Sequence, residues 1–367
     1  MRILFVTRKY PPSTGGMELA AYELYTALAA NKDNTVALIK WGGANKMLPI
    51  IYPWLLLRAL LSGLRKRPDV IYLQDGMMAP LGLALKWLLR RPTLMTIHGK
   101  EVTYENKLYR AIVFPAIRRQ NLLVAVSSDT ERALRRVFPK VHTRLILNGV
   151  SDSYYASDRR DEQYTQVAAM AGMTKEALQK RKLILTVGRL VRRKGVLWFI
   201  ENALADLVKL DPSVLYLVSG EGGDREAIKA AIAARGLEDH VKMLGRTSDA
   251  ARAALYNSTD IFLMPNIPVP HDMEGMGLVA LEAASCGALV VASNLEGIPD
   301  AIQNGRNGVL VEAKNAAKLV QVIHRELSKR SIPPEVVRNY TVENYTWSKR
   351  TREYESAMLK LTPQAGH

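Results

Sequence analysis

Short apolar runs alternate with segments of helical spacing along the whole chain, and this alternation restricts the fold more than any other feature. The runs are apolar at successive positions, which is typical of strands buried on both faces of a parallel sheet, and the helical segments suit crossover connections. The pattern predicts an α/β fold with two doubly wound, Rossmann-like domains. The predicted strands span residues 2–7, 35–39, 69–74, 93–98, 122–127, 144–147, 182–187, 215–219, 241–244, 261–265, 288–292 and 308–311.

The division into domains follows from the length and from one stretch that breaks the pattern. A chain of 367 residues is long enough for two domains. Residues 151–181 begin with a polar run and predict a linker, with a short helix at 174–181. We therefore predict an N-terminal domain over 1–165 and a C-terminal domain over 166–346. Doubly wound sheets bind ligands at the carboxyl ends of their strands, so two such domains facing one another would form a binding cleft there.

Composition excludes several classes of protein. Cys286 is the only cysteine, which excludes a disulfide framework and fits a reducing cytosol. No apolar run reaches the roughly 18 residues of a membrane-spanning helix, and the short apolar start predicts a buried strand instead of a signal peptide. The chain has no Asp-x-Asp, His-Glu-x-x-His or His/Cys cluster, so we predict no metal site. We expect a cytoplasmic protein.

The two halves of the chain differ strongly in charge. The chain has 51 Lys and Arg against 35 Asp and Glu, a net charge of +16. Residues 1–150 contain 23 of the basic and nine of the acidic residues, so this half carries +14 of that net charge. Basic and apolar residues mix in the predicted helices at 54–67 and 107–119, and again over 132–140. Such segments bind anionic membrane surfaces; nucleic acid or a polyanionic substrate is the alternative partner. The plainer interpretation is that these helices cover the sheet and turn their leucines towards the core.

The second domain contains the most informative motif, in which Glu274 and Glu282 flank a Gly-x-Gly at Gly275 and Gly277 that opens a helix at about Leu278. A glycine turn at a helix N-terminus leaves backbone N–H groups free at the positive end of the helix dipole, which suits a phosphate. Glu282 lies on the same helix, where its carboxylate would reach a ribose hydroxyl. The plainer interpretation is one dipole-stabilised glutamate and one unrelated surface glutamate.

A second motif follows the first strand of the second domain. Arg189 and Lys194 lie five residues apart after Gly188, and this spacing lets a bidentate guanidinium and a compact ammonium clamp a diphosphate. A basic surface turn is the alternative. Gly220 also follows a strand, in a glycine-rich turn that lacks the full G-x-G-x-x-G dinucleotide fingerprint.

The first domain offers two candidate binding positions. The segment 13–18 follows the first strand and opens a helix, so a phosphate or sugar would approach its backbone at Gly15 and Gly16. His98 ends a predicted strand, which places its imidazole at the carboxyl end of the sheet. A structural histidine is the alternative.

Taken together and in this order, the motifs resemble those of the retaining, GT-B-fold glycosyltransferases of family 4, over essentially the whole chain. The tail fits as well, because Tyr345-Thr346-Trp347-Ser348 and the helix after it resemble the closing segment that crosses back onto the first domain, here over 347–367. The resemblance rests on Gly15-Gly16, Thr96-Ile97-His98-Gly99, Val126-Ser127-Ser128, Asn148-Gly149-Val150, Gly188-Arg189, Lys194-Gly195, Ser219-Gly220-Glu221-Gly222, residues 241–245 and residues 274–282.

The resemblance implies a role for each matching residue. Arg189 and Lys194 would neutralise the donor diphosphate, which becomes the leaving group. Glu282 would bind the ribose, and Glu274 would contact hydroxyls of the donor sugar. His98 would contact that sugar near the reacting carbon. Backbone groups would complete the donor site at Gly15, Gly16, Gly188, Gly220, Leu244, Gly245, Gly275, Met276, Gly277 and Leu278.

The chain departs from the family pattern at two places near this implied site. Met276 stands where family members commonly have Phe, which is conservative because the backbone does the binding. Residues 296–300 read Glu-Gly-Ile-Pro-Asp where the family commonly has Gly-Gly-x-Pro-Glu, in a loop close to the donor.

The predicted function is transfer of a hexosyl group, with retained configuration and without a metal or cofactor, from a UDP- or GDP-sugar. The predicted acceptor is lipid-linked or a glycan at the inner face of the plasma membrane, bound with the help of 54–67 and 107–119, and no nucleic acid is expected. The alternatives are a nucleotide-sugar epimerase of the same fold and a non-catalytic basic binder of nucleic acid or other anions. A two-domain NAD-dependent dehydrogenase is disfavoured by the missing fingerprint.

Overall fold

The computed structural model describes residues 1–13, 15–43, 47–151 and 160–362. These form two compact units, one from residues 1–149 with the tail that begins at Trp347, and one from Val150–Thr346. The division after Gly149 lies 16 residues before the boundary that the sequence suggested. The reason is a helix at Arg160–Ala171, which packs against Asp249–Ser258 of the second unit.

The first unit contains a six-stranded sheet in the order β2-β1-β3-β4-β5-β6, and every neighbouring pair is parallel. Its central strands are buried at every position because helices cover both faces. The strands are β1 (Arg2–Thr7), β2 (Thr35–Lys40), β3 (Val70–Leu73), β4 (Thr93–Ile97), β5 (Leu122–Ala125) and β6 (Thr143–Leu145).

Helices connect these strands, and several begin with a side-chain cap that satisfies a backbone N–H of the first turn. Asn106 caps one helix by accepting from the Tyr109 N–H, and Ser127 caps another by accepting from Thr130. The helices are α1 (Gly16–Ala30), α2 (Leu48–Lys66), α3 (Ala79–Leu89), α4 (Lys100–Thr103), α5 (Lys107–Ile117) and α6 (Ser128–Val137).

The tail helix belongs to the first unit. It spans Trp347–Leu359, and its buried Tyr354 lies 3.2 Å from the Thr96 hydroxyl of β4 and edge-on to Tyr72 of β3, at 5.8 Å between ring centroids. Glu355 accepts a 2.7 Å hydrogen bond from the Asn31 amide at the end of α1. Packing and hydrogen bonds therefore hold the tail on this sheet.

The second unit contains the other parallel sheet, in the order β12-β11-β10-β7-β8-β9. Its strands are β7 (Lys182–Val187), β8 (Val214–Ser219), β9 (Val241–Gly245), β10 (Ile261–Met264), β11 (Leu289–Ser293) and β12 (Gly308–Val311). Its helices are α7 (Arg160–Ala171), α8 (Lys175–Gln179), α9 (Val196–Phe199), α10 (Ala205–Leu210), α11 (Arg225–Ala234), α12 (Asp249–Ser258), α13 (Leu278–Ser285), α14 (Ile298–Ala301), α15 (Ala316–Ser328) and α16 (Pro334–Tyr345). The tail helix of the first unit is α17 (Trp347–Leu359).

The sequence predicted this architecture closely. Each of the twelve strands lies where the apolar runs placed it, and the ends differ by at most two residues. The predicted helix at 174–181 is α8. The sequence missed α7, because its residues lack a clear helical period and its stability comes from packing on α12.

Candidate active site

The predicted glycine turn of the second unit lies between β10 and α13. Gly277 caps the helix with a left-handed backbone, φ 81°, and a Cβ there would lie 2.9 Å from the Met264 side chain. Gly275 precedes it, and Met276 is buried at 2% exposure. Helix α13 starts at Leu278 as predicted, so the first N–H groups of an eight-residue helix point out of this turn.

Glu274 lies just before this turn and is buried among cationic side chains. Its Oε2 atom accepts a hydrogen bond from Arg193 Nη1, lies 2.6 Å from Lys194 Nζ and accepts a 3.2 Å bond from Asn266 Nδ2. The other oxygen, Oε1, accepts no bond within the described part of the chain and reaches the solvent. One carboxylate oxygen is thus fixed by three donors, while the second stays open to a ligand.

The charges of this cluster shift one another's ionisation. Burial alone would raise the pKa of Glu274, but Lys194 and Arg193 outweigh it and lower that pKa to about 2. Burial lowers the pKa of the Lys194 ammonium; the cations Arg193 and Arg189 act in the same direction, and Glu274 opposes them. The carboxylate therefore stays ionised at neutral pH, and the ammonium is held in a place from which water is largely excluded.

The loop after β7 brings the cations to Glu274. Arg192–Lys194 form one 3-10 turn, which ends at Gly195. A Cβ at Gly195 would lie 1.8 Å from the Pro265 carbonyl oxygen, so only glycine lets this loop contact the loop after β10. Arg189, on the same loop, is exposed and close enough to Lys194 to affect its pKa.

Three of the predicted glycines meet where β7, β8 and β9 end. The Gly188 N–H donates to the Ser219 carbonyl at 2.9 Å, and the Gly220 N–H donates to the Gly245 carbonyl at 2.8 Å. A Cβ at Gly220 would lie 1.8 Å from the Gly188 carbonyl oxygen. The strand ends are therefore joined backbone to backbone. Leu244 lies in the same strand end, half-buried in β9.

Glu282 lies in the second turn of α13 and is nearly buried, at 5% exposure. Its Oε2 accepts a 2.7 Å hydrogen bond from the hydroxyl of Tyr256, which is fully buried on α12. This bond orients the carboxylate. The contact of Glu282 with a ribose stays a prediction.

In the first unit, Gly15 and Gly16 lie at the start of α1 as predicted. Thr14, which precedes Gly15, lies outside the described residues. The carboxylate of Glu18 folds back over this helix start. Its Oε2 is so near the backbone that a Cβ added to Gly15 would lie 2.5 Å from it. Lys9 Nζ pairs with Glu18 Oε1 at 3.0 Å. The helix start therefore already carries an anionic side chain.

His98 directly follows β4, at the carboxyl end of the first sheet. Its Nε2 lies 2.9 Å from the Gln74 carbonyl, and since a carbonyl only accepts, this nitrogen carries the proton. The backbone N–H of His98 donates to the carboxylate of Glu101, at 3.1 Å to Oε2. Ring and backbone are thereby fixed. The predicted contact of His98 with the donor sugar stays a prediction.

A buried ion pair beside His98 was missed from the sequence. Arg8 Nε lies 3.0 Å from Asp75 Oδ1, with side-chain exposures of 7% and 0%. Glu101 is also buried and contributes to a raised pKa for Arg8, although burial opposes this shift. The sequence signal was the position of these residues, because Arg8 is the first residue after β1 and Asp75 the second after β3.

Some apolar side chains of α2 lie on its exposed face, so the interpretation that its leucines face the core holds for only part of them. Ile50, Trp54, Leu57, Leu61 and Leu64 recur at three- and four-residue spacing and are all exposed. On the opposite face Leu55 and Ala59 are fully buried, and Leu56 and Leu60 pack against the same core while partly buried.

Exposed apolar residues continue on the neighbouring helices, since α3 packs against both α2 and α5. Trp87 of α3 is 81% exposed, and Leu88 beside it is exposed as well. Leu108 and Ile112 of α5 are exposed at one turn's spacing. We call these nine residues of α2, α3 and α5 the apolar face. Basic residues lie beside it, and among them Arg58 stacks on Trp54 at 4.8 Å from the ring centroid.

The described residues contain neither a candidate metal site nor a candidate membrane-spanning helix. Within them, no group of three or more His, Cys, Asp or Glu side chains is placed to hold a metal ion. None of their helices is both long and apolar enough to pass through a bilayer.

Comparison with known proteins identifies the family. A model described as Glycosyltransferase Family 4 matches residues 14–154, and one described as Glycosyl transferases group 1 matches residues 173–343. The chain belongs to this family of glycosyltransferases, and its fold is the GT-B fold.

Relatives and solved structures match over nearly the whole chain. An uncharacterized glycosyltransferase of Methanocaldococcus jannaschii is 25% identical over 96% of this chain and 96% of its own. A GDP-mannose-dependent alpha-(1-6)-phosphatidylinositol monomannoside mannosyltransferase of Mycolicibacterium smegmatis is 25% identical over 95% and 96%. The Anabaena HepE protein, crystallised with UDP, has the same fold with a TM-score of 0.77, at 19% identity over 98% of this chain and 100% of that one.

Proposed function

We propose that this glycosyltransferase moves a hexosyl group from a UDP- or GDP-sugar to a lipid-linked or glycan acceptor, with retained configuration and without a metal ion. The observation that carries the proposal is the buried cluster of Glu274, Lys194 and Arg193 beside the start of α13. A hydroxyl-binding carboxylate in Glu274, the diphosphate-binding cations Lys194 and Arg189, and free helix N–H groups are the parts that a nucleoside diphosphate sugar requires. The solved relative in complex with UDP supports this donor class.

The chemical task of the protein is to stabilise the departing diphosphate. Lys194 and Arg189 place positive charge on it, and the N–H groups of Gly275 to Leu278 add the dipole of α13. These groups supply the charge that a metal ion supplies in other transferases. Glu274 accepts from sugar hydroxyls and Glu282 from the ribose, and we assign no covalent nucleophile.

A lipid-linked acceptor follows from the apolar face of the first unit. Its exposed Leu, Ile and Trp side chains lie among basic residues in a half of the chain with a net charge of +14. Apolar side chains that enter the headgroup region, surrounded by cations, are typical of proteins that bind anionic bilayers from one side. The mycobacterial relative, whose name specifies a phosphatidylinositol monomannoside, supports an acceptor of this class. We propose that the protein works at the cytoplasmic face of the membrane.

Donor turnover tests the transferase proposal. The purified chain is incubated in EDTA with UDP-glucose or GDP-mannose and membrane lipid extract, and nucleoside diphosphate release and labelled lipid are measured. We expect turnover with one donor, and loss of at least about 100-fold in Lys194→Ala and Glu274→Ala. Lys229→Ala, which changes an exposed lysine of the same unit, is the control. Full activity in both site variants would refute the assignment of the donor site.

Vesicle binding tests the acceptor side. We expect binding to vesicles of phosphatidylglycerol and phosphatidylcholine that weakens from 50 to 500 mM salt, and little binding to phosphatidylcholine alone. Leu61→Asp, on the apolar face, is expected to reduce binding. Leu210→Asp changes an equally exposed leucine of the second unit and serves as the control. Equal binding to both vesicle types without a salt effect would remove the membrane from the proposal.

A further inference from the structure

Glu296 occupies a backbone conformation that a glycine adopts without strain. Its φ is 53°, in the left-handed region that strains a residue with a side chain. Glu296 lies in the loop between β11 and α14. A strained residue persists where its surroundings hold it, so the contact made by its side chain indicates its purpose.

That contact is with the backbone of Glu274. The carboxylate of Glu296 accepts a hydrogen bond from the Glu274 N–H, 22 residues away along the chain. The N–H is fixed by a charged acceptor, and charged acceptors make stronger bonds than neutral ones. The loop after β11 therefore holds the backbone of the residue proposed to bind the sugar.

Arg193 holds the side chain of the same residue. Arg193 is 8% exposed; its guanidinium donates to Glu274 Oε2, and its Nε lies 3.4 Å from Asp272 Oδ2. The Arg193 carbonyl in turn accepts a 3.0 Å bond from the Ile267 N–H, which fixes its loop. Nη1 makes the hydrogen bond to Glu274, whereas Nε pairs with Asp272 by charge and makes no hydrogen bond to it.

The two contacts have a joint consequence for Lys194. Arg193 and Asn266 both donate to Glu274 Oε2. This oxygen therefore keeps two donors when the Lys194 ammonium turns away from Glu274 to bind a diphosphate. Glu296 keeps the backbone in place at the same moment. Oε1 then stays directed at the solvent, where a sugar hydroxyl is expected.

We propose that Glu296 and Arg193 are positioning residues that clamp Glu274, one by its backbone and one by its carboxylate, and so set its orientation towards the donor sugar. This rests on the proposed function of Glu274. The residues contact Glu274 and not the reacting atoms, so their removal changes how the sugar is held without changing the affinity for the nucleoside diphosphate alone.

Glu296→Gly separates positioning from stability, because it removes the contact and the backbone strain together. We expect its melting temperature to stay within about 2 °C of the wild type, since lost bond and relieved strain offset one another. We expect kcat with the preferred donor to fall about 10- to 100-fold. Glu296→Gln keeps an acceptor and is expected to retain most activity. Lys314→Gly relieves an equivalent φ of 62° at an exposed position and is expected to leave kcat unchanged.

Arg193→Gln and Arg193→Lys test the other half of the clamp. We expect kcat to fall more in the glutamine variant, which loses the charge, than in the lysine variant. The dissociation constant for UDP or GDP, measured by calorimetry, is expected to stay within about threefold in both variants. Wild-type kcat in Arg193→Gln or Glu296→Gly, or a fall of kcat that only follows a fall of melting temperature, would overturn the proposal.

Amide hydrogen exchange of the peptide 272–278 tests the clamp independently of activity. We expect faster exchange in Glu296→Gly than in the wild type and Lys314→Gly. Equal exchange in all three proteins would show that the contact does not hold Glu274. A wild type that turns over no donor but shows this exchange difference would refute the transferase proposal while leaving the clamp intact.

Discussion

Replacing Gly220 by alanine tests the claim that the donor-site loops join backbone to backbone. The new Cβ would lie 1.8 Å from the Gly188 carbonyl oxygen, where ordinary contact begins near 3.4 Å, so β7 and β8 would have to separate at their ends by about 1.5 Å. The φ of 145° at this residue adds backbone strain for any side chain. Overpacking and strain each cost about 1–3 kcal/mol, which gives a loss of about 2–6 kcal/mol.

The assay is thermal unfolding with and without UDP or GDP. A loss of this size is expected to lower the melting temperature by about 5–15 °C in a unit of this length. Nucleotide binding is expected to weaken as well, because Gly188 directly precedes Arg189. Gly223→Ala is the matched control, since a Cβ there meets nothing within 4 Å. Its melting temperature is expected to match or slightly exceed that of the wild type.

An unchanged melting temperature in Gly220→Ala would refute the reasoning, because it would mean that the strand ends separate without cost. A lower melting temperature in both variants would refute it as well, since the effect would then come from loss of glycine in general.

Three further predictions concern single groups. Tyr256→Phe removes the hydroxyl that orients Glu282 and is expected to weaken binding of the nucleoside diphosphate about fivefold, measured by calorimetry. Tyr340→Phe, at a half-buried tyrosine of the same unit, is the comparison. The pKa of Glu274 is lowered in the fold to about 2, so its ionisation stabilises the protein above pH 4.5; that contribution is lost as the pH falls from about 4.5 to about 2. Thermal melts over this range are expected to drop more steeply for the wild type than for Glu274→Gln, and parallel curves would contradict this. Tyr354→Ala empties a fully buried site between the tail helix and the first sheet and is expected to cost about 3–5 kcal/mol in urea unfolding, whereas Tyr354→Phe is expected to cost about 1 kcal/mol.

Much of the donor site follows from the order of motifs. Glu274, the glycine turn and Glu282 are close in sequence, and a helix start has the same local geometry wherever it occurs. The sequence pattern predicts Arg189 and Lys194 as diphosphate-binding residues because they follow the end of a strand. The same pattern does not predict a role for Arg193, although this residue of the motif is buried beside Glu274. A run of basic residues does not reveal which member points inwards, because a 3-10 turn sets that direction.

The exposed leucines of α2 illustrate a different limit. Their spacing is that of an amphipathic helix, and the sequence predicts such a face without saying which side the sheet covers. Here Leu55, Leu56 and Leu60 belong to the core-facing side, whereas Leu57, Leu61 and Leu64 face outwards. The choice depends on which face fits the apolar surface of β1 and β2, which are packed against α2.

The sequence by itself determined the two parallel sheets, the places of the twelve strands and the family, because buried parallel strands need continuous apolar runs and the motifs recur in a definite order. Only the tertiary structure decided that Arg193 and Glu296 meet at Glu274, across 81 and 22 residues of chain. It likewise decided that an Arg8–Asp75 pair lies buried beside His98. Such contacts depend on which strand ends become neighbours in the sheet, and local residue patterns carry no record of that pairing.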